Sequence, residues 1–324
     1  MMPALLGSLL DAIVFGRPYR VVAGALAAFG ALAIPLSCVV CGRWDSSLCG
    51  GCSALFRRAT SRPFRAEDAA ESLPDVERHR GRAAGGPSTP GTPAPQSPDS
   101  PYGPLPVVAA GRYGGAVALA LLAFKNHGHV DLAAPVAAAL AGALHTAVSA
   151  RDPDDASLPL LLVPVPTRAS SRRRRGYDPL LLLLSRLDRS GQVPAGTLLA
   201  PVVRQVPLLV RLGTAVGRSG STSLVRTVLA PLLAGWTGGQ KGLGRRRRRA
   251  NVLHSMCVAR SMRYTLSGRT CLIVDDVLTT GATIGEVHRV LVDSGARVSG
   301  AVVIAATASP AGTGPLPSLA SDLS

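Results

Sequence analysis

Apolar positions along this chain recur in two rhythms, and their alternation predicts an α/β domain. Residues 158–165, 271–274 and 297–306 are short, nearly continuous apolar runs of the kind that fill parallel strands buried on both faces. Residues 113–124, 131–148, 179–187 and 284–293 instead repeat their apolar positions at helical spacing. Asp131 is the expected cap of the second helix, and Pro179 opens the third at its first turn. Residues 252–258 read as an edge strand. Strand and helix in alternation make a parallel sheet flanked by helices.

Four stretches stand outside this pattern. Residues 1–37 are apolar with few charges, and the run at 21–36 follows Arg17 and Arg20. That run is shorter than the roughly 20 residues that cross a bilayer, and Pro35 interrupts it, so membrane association is not expected. A signal segment ending at Cys38 is the competing reading, but the run lies late for one and Pro35 stands where such sites prefer Leu. Residues 57–106 pass from a charged stretch into Pro, Gly and Ser, which cannot bury enough apolar surface to order itself, and so read as a disordered linker. Residues 188–235 have no period and read as an insertion within a domain spanning 107–308. The tail at 309–324 is expected to be disordered.

Composition narrows the partners. A formal net charge of +16 and a pI near 11.0 call for something anionic: a nucleotide, a nucleic acid or a membrane surface. Aromatic residues make up only 4% of the chain, so the core must be built from Ala, Val and Leu. Six cysteines are too few for a disulfide scaffold in a chain of 324 residues. Four of them, Cys38, Cys41, Cys49 and Cys52, form two Cys-x-x-Cys pairs. Each pair can put two thiolates on one cation, and two pairs close a tetrahedral site of the structural zinc type. A pair of disulfides is the alternative use of the same residues. The metal reading points to a reducing compartment, hence the cytoplasm.

The chemistry concentrates at residues 271–283. The apolar run ends on two acids, Asp275 and Asp276, followed by Thr279, Thr280, Gly281, Ala282 and Thr283 and then a helix. A strand-to-helix turn is where an open α/β sheet binds anions, because the first helical amides lack backbone acceptors. The hydroxyls suit phosphate oxygens, and the carboxylates suit the vicinal hydroxyls of a ribose, directly or through a divalent ion. This run resembles the phosphoribosyl-pyrophosphate (PRPP) motif of type I phosphoribosyltransferases. An ordinary capped turn is the bland alternative. A second strand ends in Pro164, Val165, Pro166 and then Arg168, a further anion loop at the same sheet edge. Arg172 to Arg175, followed by Gly176 and Tyr177, suggest a mobile basic loop or else a solvated charge run. Lys125 is either an anion ligand or a solvated lysine at a helix end. His127 and His129 read as loop residues.

The cysteine quartet, Pro164-Val165-Pro166 with Arg175-Gly176-Tyr177, the series Thr237, Gln240, Leu243, Arg248 and Asn251, and the acid-Thr-Gly run stand in one order. Together they resemble the ComF family, phosphoribosyltransferase-domain proteins linked to bacterial competence. The resemblance implies a small zinc-ribbon module joined to a type I phosphoribosyltransferase fold. It implies that Asp275 and Asp276 hold the ribose hydroxyls and that Val277, Leu278 and residues 279–283 form the 5'-phosphate pocket. Pro164, Val165, Pro166 and Arg168 would make the pyrophosphate loop, Arg175 and Tyr177 the loop that closes over the site, and Lys125 an anion contact. Magnesium would accompany PRPP, zinc would be structural, and competence or recombination proteins would be partners. Where many relatives have Asn-Gln after the Gly-aromatic pair, this chain has Asp178-Pro179, and its apolar N-terminal segment is longer than usual.

Two function classes follow. One is a phosphoribosyltransferase acting on PRPP or a ribose 5-phosphate nucleotide; no general base for an acceptor stands out. The other is a non-catalytic accessory protein binding single-stranded DNA through its Arg runs, of which residues 245–249 are unbroken. Against the second stands the shortage of stacking residues: five Tyr, five Phe and two Trp.

Overall fold

The computed structural model describes residues 37–44, 46–77, 101–126, 128–151, 158–167, 169–206 and 254–307. Residues 1–36, residues 78–100 of the linker, His127, Arg168, the Thr237 to Asn251 series with its Arg run, and the tail from residue 308 lie outside the described residues.

The centre is a sheet of order β1–β4–β10–β9–β5–β6, made by Phe64–Arg65, Val107–Arg112, Arg297–Ala306, Thr270–Leu278, Leu160–Pro164 and Thr197–Leu199. Strand β1 is antiparallel to β4, and the other neighbours are parallel. The apolar runs behave as their composition requires: β5 is buried at every position, and residues 271–274 of β9 are buried too.

Helices flank this sheet. α1 (Gly50–Thr60) follows the cysteine module, and α2 (Gly115–Asn126) and α3 (Ala133–Ser149) lie between β4 and β5. α4 (Ala169–Arg175) and α5 (Pro179–Arg189) lie between β5 and β6, and α7 (Ala282–Val292) links β9 to β10. α6 (Arg260–Leu266) precedes β9. In α7 the buried apolar residues are Ile284, Val287, Val290 and Leu291, the stripe that the periodicity predicts. In α5 they are Leu180, Leu183, Leu184 and Leu187. Among the described residues one helical stretch, Val130–Ser149, is long and apolar enough to cross a membrane, and half of it is buried inside the fold. Its helix α3 packs against β4, β10 and α5, so its apolar character is that of a core helix.

Several expectations are corrected. The linker does not begin at residue 57. Residues 57–60 complete α1, Phe64–Arg65 joins the main sheet, and Ala66 and Ala70 are core residues. Beyond them β2 (Asp75–Glu77) pairs with β3 (Tyr102–Pro104). Charge misled the reading here, because α1 needs few buried side chains: Phe56 is fully buried, and Gly111 of β4 lets the helix end come so close that a Cβ there would lie 2.7 Å from the Ala59 carbonyl.

Residues 188–206 are not part of an insertion. They finish α5, supply edge strand β6, and form β7 (Val203–Gln205), which pairs with β8 (Met256–Val258). The strand near residues 252–258 therefore belongs to a separate two-stranded ribbon. The expected basic loop is the short helix α4. Asp131 does not cap α3: it sits in a 3-10 turn, Val130–Leu132, and the N-cap position is Leu132 without a side-chain bond. Asp178 does cap a helix, accepting from the amides of Leu180 and Leu181 at 3.2 and 3.3 Å.

Candidate functional site

Strand β9 is longer than its apolar run, because the two acids remain inside it. It pairs with β10 as far as Leu278, whereas β5 leaves it at Val274. Residues 275–278 therefore project beyond β5 with one backbone edge facing a crevice at the C-terminal end of the parallel strands, where sheets of this kind bind ligands. The Pro164, Val165, Pro166 loop leaves the neighbouring strand at that point, and the Val165 amide donates to Val274 O at 2.9 Å. Two loops that are far apart in sequence are thus side by side.

The acids are successive strand residues, so their side chains leave on opposite faces. Asp276 meets α2, where Lys125 Nζ lies 2.5 Å from its Oδ2. Asp275 Oδ1 accepts from the Asp276 amide at 2.8 Å. Its carboxylate is pushed up to about 7, first by desolvation and then by the charge of Asp276; the amide bond and Lys125 oppose this only in part.

The turn follows at once. Gly281 adopts φ +81 and is the N-cap of α7. Its carbonyl accepts the helix bond from Gly285 N at 2.8 Å, so the preceding amides of the first turn have no intrahelical acceptor. The turn is held from its carbonyl side. Ser72 N donates to Thr280 O at 2.9 Å, and Thr307 N donates to Leu278 O at 3.0 Å. Leu73 packs where a Cβ on Gly281 would be. Thr279 is exposed, while Thr280, Ala282 and Thr283 are partly so. Sequence reasoning missed this strap at residues 71–74 because it lies inside the stretch read as linker.

Other site residues lie elsewhere. Arg175 donates from Nη1 to Lys125 O and from Nε to Ser171 O, and Tyr177 donates to Phe124 O at 2.6 Å. Both therefore close the C-terminal end of α2, where a cation suits the helix dipole. The lysine and the basic segment come together there. Val277 and Asp276 line a small cleft with Leu121, Phe124, Leu180 and Ile304.

The cysteine module meets the fit for a metal. The four Sγ atoms of Cys38, Cys41, Cys49 and Cys52 lie within 4.8 Å of one another, and Cys41 and Cys49 Sγ are 3.6 Å apart. Thiolates on a tetrahedral zinc at about 2.3 Å stand about 3.8 Å apart, so this set needs little adjustment. Gly42, at φ +74, turns the first knuckle, with its amide donating to Cys38 O at 2.8 Å. Burial alone would raise Cys38, but amides of Cys49, Cys41 and Val40 converge on its sulfur and hold it at about 6. Cys52 is pushed up by burial and then by its cysteine neighbours.

Comparison with known proteins agrees with this geometry. Residues 188–321 match the phosphoribosyl transferase domain family. The chain is also 49% identical over 39 residues to the adenine phosphoribosyltransferase of Mycolicibacterium gilvum (strain PYR-GCK), covering 12% of this chain and 22% of that protein. It is 54% identical over 39 residues to the adenine phosphoribosyltransferase of Mycobacterium marinum (strain ATCC BAA-535 / M), covering 12% and 21%. The chain thus spans about a fifth of the length of these curated relatives. A sheet of mostly parallel strands flanked by helices, a phosphoribosyltransferase-type domain and a four-cysteine cluster suited to zinc together describe its architecture.

Proposed function

We propose that the crevice at the end of β9 binds PRPP or a ribose 5-phosphate nucleotide with magnesium, and that the protein is a phosphoribosyltransferase of the cytoplasm. The observation that carries this reading is the overhang of β9, which leads from two carboxylates directly into a helix start whose amides lack intrahelical acceptors. Asp275 and Asp276 hold the ribose hydroxyls from the two faces of the overhanging strand end; Val277, Leu278 and the turn from Thr279 to Thr283 cradle the 5'-phosphate. The loop of Pro164, Val165 and Pro166 takes the pyrophosphate. The short likeness to adenine phosphoribosyltransferases supports the ribosyl-phosphate half of the reaction.

In such a transfer the bond from the anomeric carbon to the pyrophosphate oxygen breaks and pyrophosphate leaves with the electron pair. A nitrogen acceptor then forms the new bond. Magnesium, held near Asp275 and Asp276, would supply positive charge to the leaving pyrophosphate. The chain's own task is charge placement: Lys125 and the basic segment that ends in Arg175 offset the departing anion, and the carboxylates favour a sugar ring that becomes cationic. Calorimetric titration of the full chain with PRPP and magnesium tests this. Wild type binds, and Asp275→Ala with Asp276→Ala does not; no binding by wild type, or equal binding by both, rejects the reading.

The ComF resemblance extends the proposal to DNA uptake, with competence or recombination proteins as partners, and one surface favours single-stranded DNA as a second ligand. On α6, Arg260, Arg263 and Tyr264 stand at positions that share a helix face, all exposed, with Tyr264 91% exposed. An exposed aromatic beside two arginines is a platform for base stacking and phosphate contact. Anisotropy with a labelled oligonucleotide across a salt series, with Tyr264→Ala and Arg263→Ala, decides; salt-insensitive or unchanged binding removes this reading.

A further inference from the structure

The cysteine module touches the rest of the protein at a polar contact that leads to the proposed ligand site. Ser47 lies between Cys41 and Cys49 in sequence and is only 2% exposed, and its Oγ is 3.1 Å from Nδ1 of His129. Ser47 is fixed within the module, since its carbonyl accepts from Val39 N at 3.0 Å. His129 stands just beyond α2 and is folded back onto that helix, its amide donating to Ala123 O at 3.4 Å. Helix α1, which begins at the second cysteine pair, also packs on α2.

The end of α2 is therefore gripped from two sides. Arg175 and Tyr177 take its last carbonyls, while His129 joins it to the module. Between these grips is Lys125, whose ammonium pairs with Asp276. In a cluster so arranged, the position of the lysine depends on both supports. A buried hydroxyl that loses its partner is left unsatisfied away from water, so the Ser47 contact favours one position of His129.

We propose that His129 is a positioning residue through which the metal-loaded cysteine centre holds Lys125 against Asp276 and so sets the affinity of the acid-Thr-Gly site. The inference rests on the reading of that site as one for PRPP. Four thiolates on one cation would make the segment carrying Ser47 rigid. Without that restraint Ser47 releases His129, the last turn of α2 loosens, and Lys125 no longer offsets the carboxylates that would repel an approaching phosphate. The module is then more than a fold staple: zinc at the cysteines and PRPP at the crevice favour one another.

The test uses the full zinc-loaded chain with His129→Ala, Ser47→Ala and the conservative His129→Asn. Three readouts are needed: bound zinc, calorimetric affinity for PRPP with magnesium, and amide hydrogen exchange at residues 123–126. His129→Ala and Ser47→Ala should retain their zinc, bind PRPP about 3- to 10-fold more weakly, and exchange faster at residues 123–126. His129→Asn, which can keep the bond to Ser47, should recover most of the affinity. In a Lys125→Ala background, His129→Ala should add nothing further. Unchanged exchange in His129→Ala, or losses that add independently to those of Lys125→Ala, would overturn the proposal. If wild type binds no PRPP, the ligand reading fails, and exchange at residues 123–126 still decides whether module and helix are coupled.

Discussion

The side chain of Leu73 occupies the space that a Cβ on Gly281 would need, with its Cγ and Cδ2 each 2.9 Å from that position. The strap and the turn at residues 279–281 are thus fitted to each other, and Gly281 also sits at φ +81, where an L side chain is strained. Gly281→Ala should therefore destabilise the protein by about 2–4 kcal/mol, combining left-handed strain with overpacking. Adding Leu73→Ala should recover the packing part alone. Denaturant unfolding of the three proteins checks this; a Gly281→Ala variant as stable as wild type would show that the strap does not bear on the turn.

Asp275 gives the site a pH dependence of definite sign. Its folded value of about 7 lies above the ordinary aspartate value of 3.8, so the folded state binds more protons between those limits. Stability is then greatest at low pH as far as this group is concerned, and falls as pH rises from about 4 to 7. Asp275→Asn should remove that fall and leave the ligand-free protein more stable than wild type at pH 8. Affinity for PRPP with magnesium should rise over the same interval, because the ionised carboxylate is the binding form. Thermal unfolding and titration calorimetry at pH 5, 6, 7 and 8 measure the two trends, which must run in opposite directions.

Glu286 is a buried charge with a structural task. It is 3% exposed, receives Arg289 through both carboxylate oxygens at 2.9 and 3.0 Å, and accepts from Met256 N at 3.2 Å. It so ties α7 to the ribbon strand β8. Burial raises its pKa, but these hydrogen bonds outweigh it and the net shift is downward. Its contribution is present above the ordinary carboxylate range and is lost as pH falls through the depressed value. Glu286→Ala should cost about 2–3 kcal/mol, since Met256 N loses its partner, and Glu286→Gln less. Unfolding curves at pH 7 give the values, and losses within 0.5 kcal/mol would mean water replaces the carboxylate.

Removal of the metal should act on the module first. Cys38→Ser or Cys52→Ser should abolish zinc retention, measured by elemental analysis of the dialysed protein. It should also lower the unfolding temperature, because α1 and its Phe56 anchor lose the constraint at the helix start. Full zinc content in both variants would exclude the four-thiolate centre.

Residues whose chemistry is local were legible from the sequence; those whose role depends on a distant partner were not. The strands at 160–164 and 297–306 and the stripe of α7 follow from apolar rhythm alone, because burial on a sheet leaves its period in the chain. The cysteine cluster could be read from spacing. By contrast, Ser72, Thr307 and His129 matter only for what the fold brings beside them, and nothing in their neighbours in sequence marks that. Helix α1 was obscured by its arginines, whose charged heads sit outside while Phe56 faces the core. Lys125 showed its partner only in three dimensions.

The strap has a consequence for how the molecule is made. Ser72 and Leu73 leave the ribosome well before Thr280, Gly281 and strand β10. Such a contact closes late and contributes to slow folding. A nascent chain halted before β10 would carry a module able to take up its metal but not the strand beside the turn at residues 279–283, so any ability to bind ribosyl phosphates should arise abruptly once β10 is made rather than gradually before it.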